Sequence, residues 1–207
     1  GRVMAEFTFD VASHTYMLDG ARLPSVTEII RPIRQDFSMI GAEVLEAKRA
    51  LGTAVHMACE FDDLGELDDA ETDPKIMGYV TAWRKFRDDT RSHIELNEQK
   101  LFHPHLKFAG TIDRVAFLRT DEDSKESLWL LDIKTSAEPH PSYGVQLSGY
   151  SILYGATVGK KYDCEIKRAS VHLRADGSYK FHRYTNPNDE AVFYACRSLI
   201  AWKEANK

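Results

Sequence analysis

Leu128-Trp129-Leu130-Leu131-Asp132-Ile133-Lys134 is an apolar run that closes on two charges separated by one residue. Its brevity and its Trp/Leu content predict a strand over Leu128 to Lys134, apolar on both sides and so interior to a sheet. Side chains alternate along a strand, which puts Asp132 and Lys134 on one face and turns Ile133 into the opposite core. Charges at the end of an interior strand call for a reason, because burying them unpaired is costly. Taken alone, Asp-x-Lys also describes a solvated strand edge with a surface ion pair.

Upstream lies a second strand, Phe108 to Leu118, which carries Gly110-Thr111-Ile112-Asp113-Arg114 and is joined to the first by the polar stretch Asp121 to Ser127. Before it, Ile94, Leu96 and Glu98 alternate as a further strand. Downstream, Val145, Leu147, Tyr150, Ile152 and Leu153 predict a helix over Ser142 to Ala156. Strands near Glu165–Leu173 and Ser178–Tyr184 follow, turned by Ala175-Asp176-Gly177. A last helix starts at Asn186-Pro187 or Asn188 and runs through Trp202. Helical spacing marks Ile40 to Asp63 and Pro74 to Asp89, with the acidic, turn-like Asp62 to Asp73 between them. The order from residue 41 is therefore α-α-β-β-β-α-β-β-α, which predicts an α/β fold with a mixed sheet flanked by helices.

The N-terminal segment reads as a β-hairpin, Glu6–Phe9 and His14–Leu18, with Asp19-Gly20 as a turn. Ser25 is placed to cap a short helix carrying Val26, Ile29 and Ile30, with Glu28 three residues after the cap and Pro32 at its end. Residues 1–40 are expected to pack on a core formed by 41–207. Met4 reads as the native start.

Composition narrows the class. Hydrophobic residues are 43% of the 207, enough for a real core, and no apolar run approaches the roughly 20 residues of a membrane helix. No apolar secretory segment opens the chain, and the expectation is a cytoplasmic protein. Cys59, Cys164 and Cys196 are scattered, form no C-x-x-C pair and support neither a zinc ribbon nor an iron–sulfur cluster. A net charge of −5 argues against a nonspecific nucleic-acid coat, but a site that collects carboxylates also drives the total negative. No coiled-coil seam is evident, and a monomer is the expectation.

The chemistry concentrates on a few residues. Antiparallel strands joined by a connector bring Asp113 and Asp132 within one coordination sphere, with the Ile133 main-chain carbonyl free to join it. Two carboxylates and a carbonyl suit Mg²⁺ or Mn²⁺. His56 sits on the first long helix after Gly52, which would let the helix approach another backbone closely. Glu60 follows by four and shares its face. A neutral imidazole can add to a carboxylate metal site, with Glu60 as the partner that orients it; taken alone, a helical His is more often a satisfied core or surface residue. Gln146 and Tyr150, also four apart, either touch a phosphate or base or are one exposed and one core residue.

In series, Gly52-Thr53-x-x-His56, Gly110-x-x-Asp113, Asp132-x-Lys134 and Gln146-x-x-x-Tyr150 resemble the ordered motifs of RecB-type nuclease domains in the PD-(D/E)XK superfamily. Asp132-Ile133-Lys134-Thr135-Ser136 and Gln146-Leu147-Ser148-Gly149-Tyr150 are also similar to the mitochondrial genome maintenance exonucleases, as is Glu98 ahead of Asp113. The opening with Pro24-Ser25-Val26-Thr27 is similar to phage-encoded members. The resemblance spans about residues 41–160. It implies a restriction-endonuclease-like core and Mg²⁺- or Mn²⁺-dependent DNA hydrolysis. By position, His56, Asp113, Asp132 and the Ile133 carbonyl would bind metal, and Lys134 would be the catalytic lysine. Glu98 would sit beside the metal or order water, and Gln146 and Tyr150 would shape the site and hold DNA.

On that basis DNA is expected to enter between the first long helix and the Gln146 helix, and Lys134 to steer the attacking water. Arg114, Thr135, Ser136, Lys107, Lys160 and Lys161 are candidate phosphate contacts. An exonuclease on single-stranded or end-exposed DNA is the favoured activity. A structure-specific endonuclease and an inactive DNA-binding module are the alternatives, and a partner in recombination or repair is a further expectation.

Overall fold

A computed structural model of the chain describes residues 5–123 and 125–206, the side chain of Lys160 excepted; Met4 lies outside the described residues. The chain opens on three short antiparallel strands, β1 (Phe7–Asp10), β2 (Thr15–Leu18) and β3 (Ala21–Leu23), which form their own sheet. Asp19 and Gly20 have φ of 49° and 78° and turn β2 into β3. The hairpin expected from the sequence is therefore extended by a third strand. Tyr16, Leu18 and Leu23 from this sheet pack on Ala109, whose N–H donates to the Pro24 carbonyl at 3.0 Å.

Helix α1 (Val26–Ile29) begins with a complete capping box: the Ser25 hydroxyl accepts the Glu28 N–H, and the Glu28 carboxylate accepts the Ser25 N–H. It stops ahead of a 3-10 turn, Arg31–Ile33, that contains Pro32. Helix α2 (Ala42–Leu64) ends at Gly65 in the left-handed region. Helix α3 (Pro74–Thr90) starts with Pro74 behind the Asp73 cap.

Then come strands β4 (His93–Phe102), β5 (Ala109–Leu118) and β6 (Ser127–Lys134), helix α4 (Pro141–Thr157), strands β7 (Ile166–Leu173) and β8 (Tyr179–Arg183), and helix α5 (Asp189–Ala205). The five strands form one sheet in the order β4-β5-β6-β7-β8. Every neighbouring pair is antiparallel except β6 and β7, which run parallel through the α4 crossover. This is the mixed, helix-flanked sheet that the element order predicted.

Alternation along β6 divides the core. Trp129, Leu131 and Ile133 enter the cluster that holds Val55, Val80, Trp83 and Phe86 of α2 and α3. Leu128 and Leu130 enter the cluster with Val26, Ile29, Leu147, Leu153 and Phe193 of α1, α4 and α5. Asp132 and Lys134 continue the second set, so they face α4. Gly110 permits close packing there: a Cβ would lie 2.8 Å from the Tyr150 ring.

Candidate metal centre

Strand β5 parts from β6 at Asp113. Their ladder runs from Leu118↔Ser127 to Arg114↔Leu131 and ends there. Beyond that point side chains take over from backbone pairing. The Ile133 N–H donates to Asp113 Oδ2 at 2.7 Å, and the Ile133 carbonyl accepts from His56 Nε2 at 2.9 Å. Strand β5 also turns its faces over here. Ile112 and Val115 enter the same core cluster, whereas an odd separation puts residues of a regular strand on opposite faces.

Across β5, Asn97↔Arg114 and Gln99↔Ile112 bracket Glu98 opposite Asp113. Glu98 has φ of 47°, a left-handed backbone that costs a non-glycine residue on the order of 1–3 kcal/mol. Its carboxylate reaches within 3.5 Å of His56 Nδ1, and Asp113 Oδ2 lies 3.6 Å from the same nitrogen. Ligand atoms of His56, Glu98 and Asp113 all fall within 4.8 Å of one another.

The Ile133 carbonyl can only accept, so His56 Nε2 carries a proton and Nδ1 is the atom turned to the carboxylates. Burial alone would push the imidazole down, but Asp113 and Glu98 outweigh it and raise it to about 9. Without a cation the ring is thus an imidazolium between two acids. The Ile133 carbonyl thus spends one of its two lone pairs on the ring of a candidate ligand and keeps the other.

The α4 side of the gap has a different set. Lys134 Nζ lies 2.6 Å from Asp132 Oδ2, a tight and largely buried ion pair. Lys134 also donates to Gln146 Oε1 at 3.2 Å, and Gln146 Nε2 donates to the Tyr150 hydroxyl at 3.2 Å. The ammonium sits 4.4 Å from the Tyr143 ring centroid. Burial would lower the Lys134 ammonium, but Asp132 holds it above the usual lysine range. Asp132 itself is raised to about 6, first by burial and then by Asp113, against the opposing pull of Lys134. Burial keeps the Tyr150 phenol neutral, well above its ordinary value.

Arg114, expected at a phosphate, is fully buried. Its Nε donates to Asp63 Oδ2 at 2.6 Å, and NH1 donates to Glu98 Oε1 at 3.1 Å and to the Asp113 carbonyl at 2.6 Å. The guanidinium therefore braces Glu98 from inside. Glu60, expected to orient His56, does not do so: the groups around the ring are Ile133, Glu98 and Asp113, and the Glu60 carbonyl accepts from Asn97 Nδ2 at 3.4 Å. Gly52 is not a point of forced close approach either, since a Cβ there would lie 3.7 Å from Thr135 Oγ1, an ordinary contact.

Thr135 is half-buried and Ser136 exposed just beyond Lys134. Lys107 is exposed in the turn between β4 and β5. Lys161 is tied to Glu95 at 3.1 Å. The Lys160 side chain lies outside the described residues.

Three residues around the centre escaped the sequence reading. Asp63 takes Arg114 and the Trp83 indole N–H; its signal was its place seven residues after His56, on the same helix face. Tyr143 stands three residues before Gln146, where α4 brings both to Lys134. His172 is fully buried beside the turn after Lys134. It donates from Nδ1 to the Ser136 carbonyl at 2.8 Å and accepts at Nε2 from the Ser170 hydroxyl at 2.8 Å. Only the parallel pairing Lys134↔His172 reveals it.

No protein-family model matches the chain, and no curated protein matches it. The donor set still tests the implied cation. One imidazole nitrogen and two carboxylates suit Mn²⁺ or Mg²⁺. Glu98 and Asp113 bring their carboxylates and the His56 nitrogen within 4.8 Å of one another, with Asp132 near enough to act on the same ring, so an ion there would take over the charge that the imidazolium carries. The residues fit the group.

Proposed function

We propose that this chain is a Mg²⁺- or Mn²⁺-dependent deoxyribonuclease, acting as an exonuclease on single-stranded or end-exposed DNA. The observation that carries the proposal is the convergence of His56, Glu98 and Asp113 beside the Asp132–Lys134 pair, at the point where β5 leaves β6. The motif order read from the sequence supplies the substrate class.

A bound divalent cation would polarise a phosphoryl oxygen and lower the pKa of a water beside it. His56, Glu98 and Asp113 would hold it, with Asp132 adjoining. Because His56 Nε2–H is fixed on the Ile133 carbonyl, Nδ1 is the nitrogen left to ligate, and it must first lose its proton. Lys134 remains charged, so it serves as a hydrogen-bond donor that orients a water and offsets charge developing at phosphorus. The Gln146–Tyr150 pair fixes the amide that receives Lys134 and so limits where the ammonium can point. Thr135 and Ser136 follow Lys134 on the open side and offer hydroxyls to the flanking phosphate.

The test is incubation with end-labelled single- and double-stranded DNA and with circular single strands, in Mg²⁺, Mn²⁺ or EDTA. Metal-dependent release of nucleotides from linear strands alone is expected, and Asp113→Asn should reduce it to the EDTA level. Cleavage that survives EDTA or Asp113→Asn would sink the proposal, and cutting of circles would move it to an endonuclease.

A further inference from the structure

Away from the metal centre, a cavity of about 580 Å³ opens between the 3-10 turn and the first half of α2, and Arg31, Arg34 and Arg49 line it. The chain as a whole is acidic, so three guanidiniums around one hollow are not a consequence of composition. Among the described residues Arg31 and Arg34 make no ion pair, and Arg49 has only a loose one, 3.9 Å to Glu46. Asp36 is the acid in the lining, and its carboxylate is occupied by the Ser38 N–H at 2.8 Å and the Ser38 hydroxyl at 3.1 Å. The hollow therefore carries excess positive charge with unused donors.

Its position matters as much as its charge. Leu45, Arg49, Gly52 and His56 follow one another at spacings of four, three and four, which is a single stripe of α2. Leu45 and Arg49 line the cavity, Gly52 meets Thr135 at the end of the Asp-x-Lys segment, and His56 belongs to the metal cluster. At about 1.5 Å rise per residue, Arg49 stands roughly 10 Å along the helix from His56. That is a span of one or two nucleotides of an extended strand.

We propose that this arginine-lined hollow is a binding site for backbone phosphates of the nucleic-acid strand, one or two nucleotides from the bond at the metal centre. The proposal rests on the nuclease reading and adds the direction of the strand: along α2, from His56 toward its N-terminal end. Guanidinium forks bind phosphate oxygens in pairs and carry no base information, so the site takes any sequence.

The test is fluorescence anisotropy with a labelled single-stranded oligonucleotide across a range of salt concentrations. It uses the whole chain carrying Asp132→Asn in Mg²⁺, so that the strand is not cut, with and without Arg31→Ala, Arg34→Ala and Arg49→Ala together. Each phosphate contact on a single strand contributes about 0.7 to the slope of log affinity against log salt, so the triple variant should be shallower by about 2. Its affinity should fall at least tenfold at low salt, with an unchanged circular dichroism spectrum. Lysine in place of arginine at all three positions should keep most of the slope. Binding by the parent with an unchanged slope in the triple variant would overturn the site and leave the nuclease reading intact. A parent that neither binds DNA nor, with Asp132 restored, cuts it would overturn both.

Discussion

On the α2 side of the gap between β5 and β6, an imidazole, two carboxylates and a buried arginine crowd together, and the order depends on charge balance. On the α4 side, Lys134, Gln146 and Tyr150 form a hydrogen-bonded chain in which each group already has a partner. The first arrangement is a cluster of acids balanced by the His56 imidazolium and Arg114; the second is a preformed rail that holds one ammonium at a fixed point. Under the proposed function, the contrast makes holding a metal and steering the reaction separable roles, although Asp113 and Asp132 lie near enough to act on each other.

The largest effect should come from removing the brace of the α2 side. Arg114→Ala removes the charge-assisted hydrogen bonds to Asp63 and Glu98, leaving Asp63 to Arg87 and the Trp83 indole and Glu98 to His56, and should cost about 3–5 kcal/mol in urea unfolding. A loss under 1 kcal/mol would mean that Glu98 holds its strained backbone without help. On the α4 side, Lys134→Ala should lower kcat by about 10²–10³-fold while Mn²⁺ affinity, measured by calorimetry, stays within a few-fold. If Mn²⁺ binding collapsed as well, the two sides would be one unit and the contrast would be lost.

The pH dependence separates them further. His56 is raised from 6.5 to about 9 in the folded, metal-free protein. A raised pKa in the folded state gives stability that is present below 6.5 and disappears as pH climbs through 9. The metal-free Tm should therefore fall over that window, by an amount equivalent to about 3 kcal/mol. His56→Asn should flatten the curve. The same proton competes with metal, so Mn²⁺ affinity should rise from pH 6.5 to 9, with proton release that calorimetry in different buffers would detect.

The smallest effect is expected at Gly52. With only an ordinary contact awaiting its Cβ, Gly52→Ala should raise stability by up to about 1 kcal/mol through helix propensity. Normal stability with a raised KM would assign the open space to substrate instead.

Most of the chain announced itself. The interior strand Leu128–Lys134, the helix behind Gln146 and Tyr150 and the Ser25 capping box were legible because periodicity and capping are local properties. The same locality explains the misjudged residues. Glu60 shares a helix face with His56 by spacing, but two strands already place Glu98 and Asp113 against that ring. Arg114 has a surface residue's chemistry, and only the packing of α2 and α3 over β5 turns it inward.

What the sequence determined by itself was the order of elements and the carboxylates and lysine that the sheet would carry. What only the tertiary structure decided was which acids meet the imidazole, because that depends on where β5 peels from β6 and on a left-handed residue at Glu98. Both are consequences of packing between segments far apart in the chain, where no local pattern records the outcome.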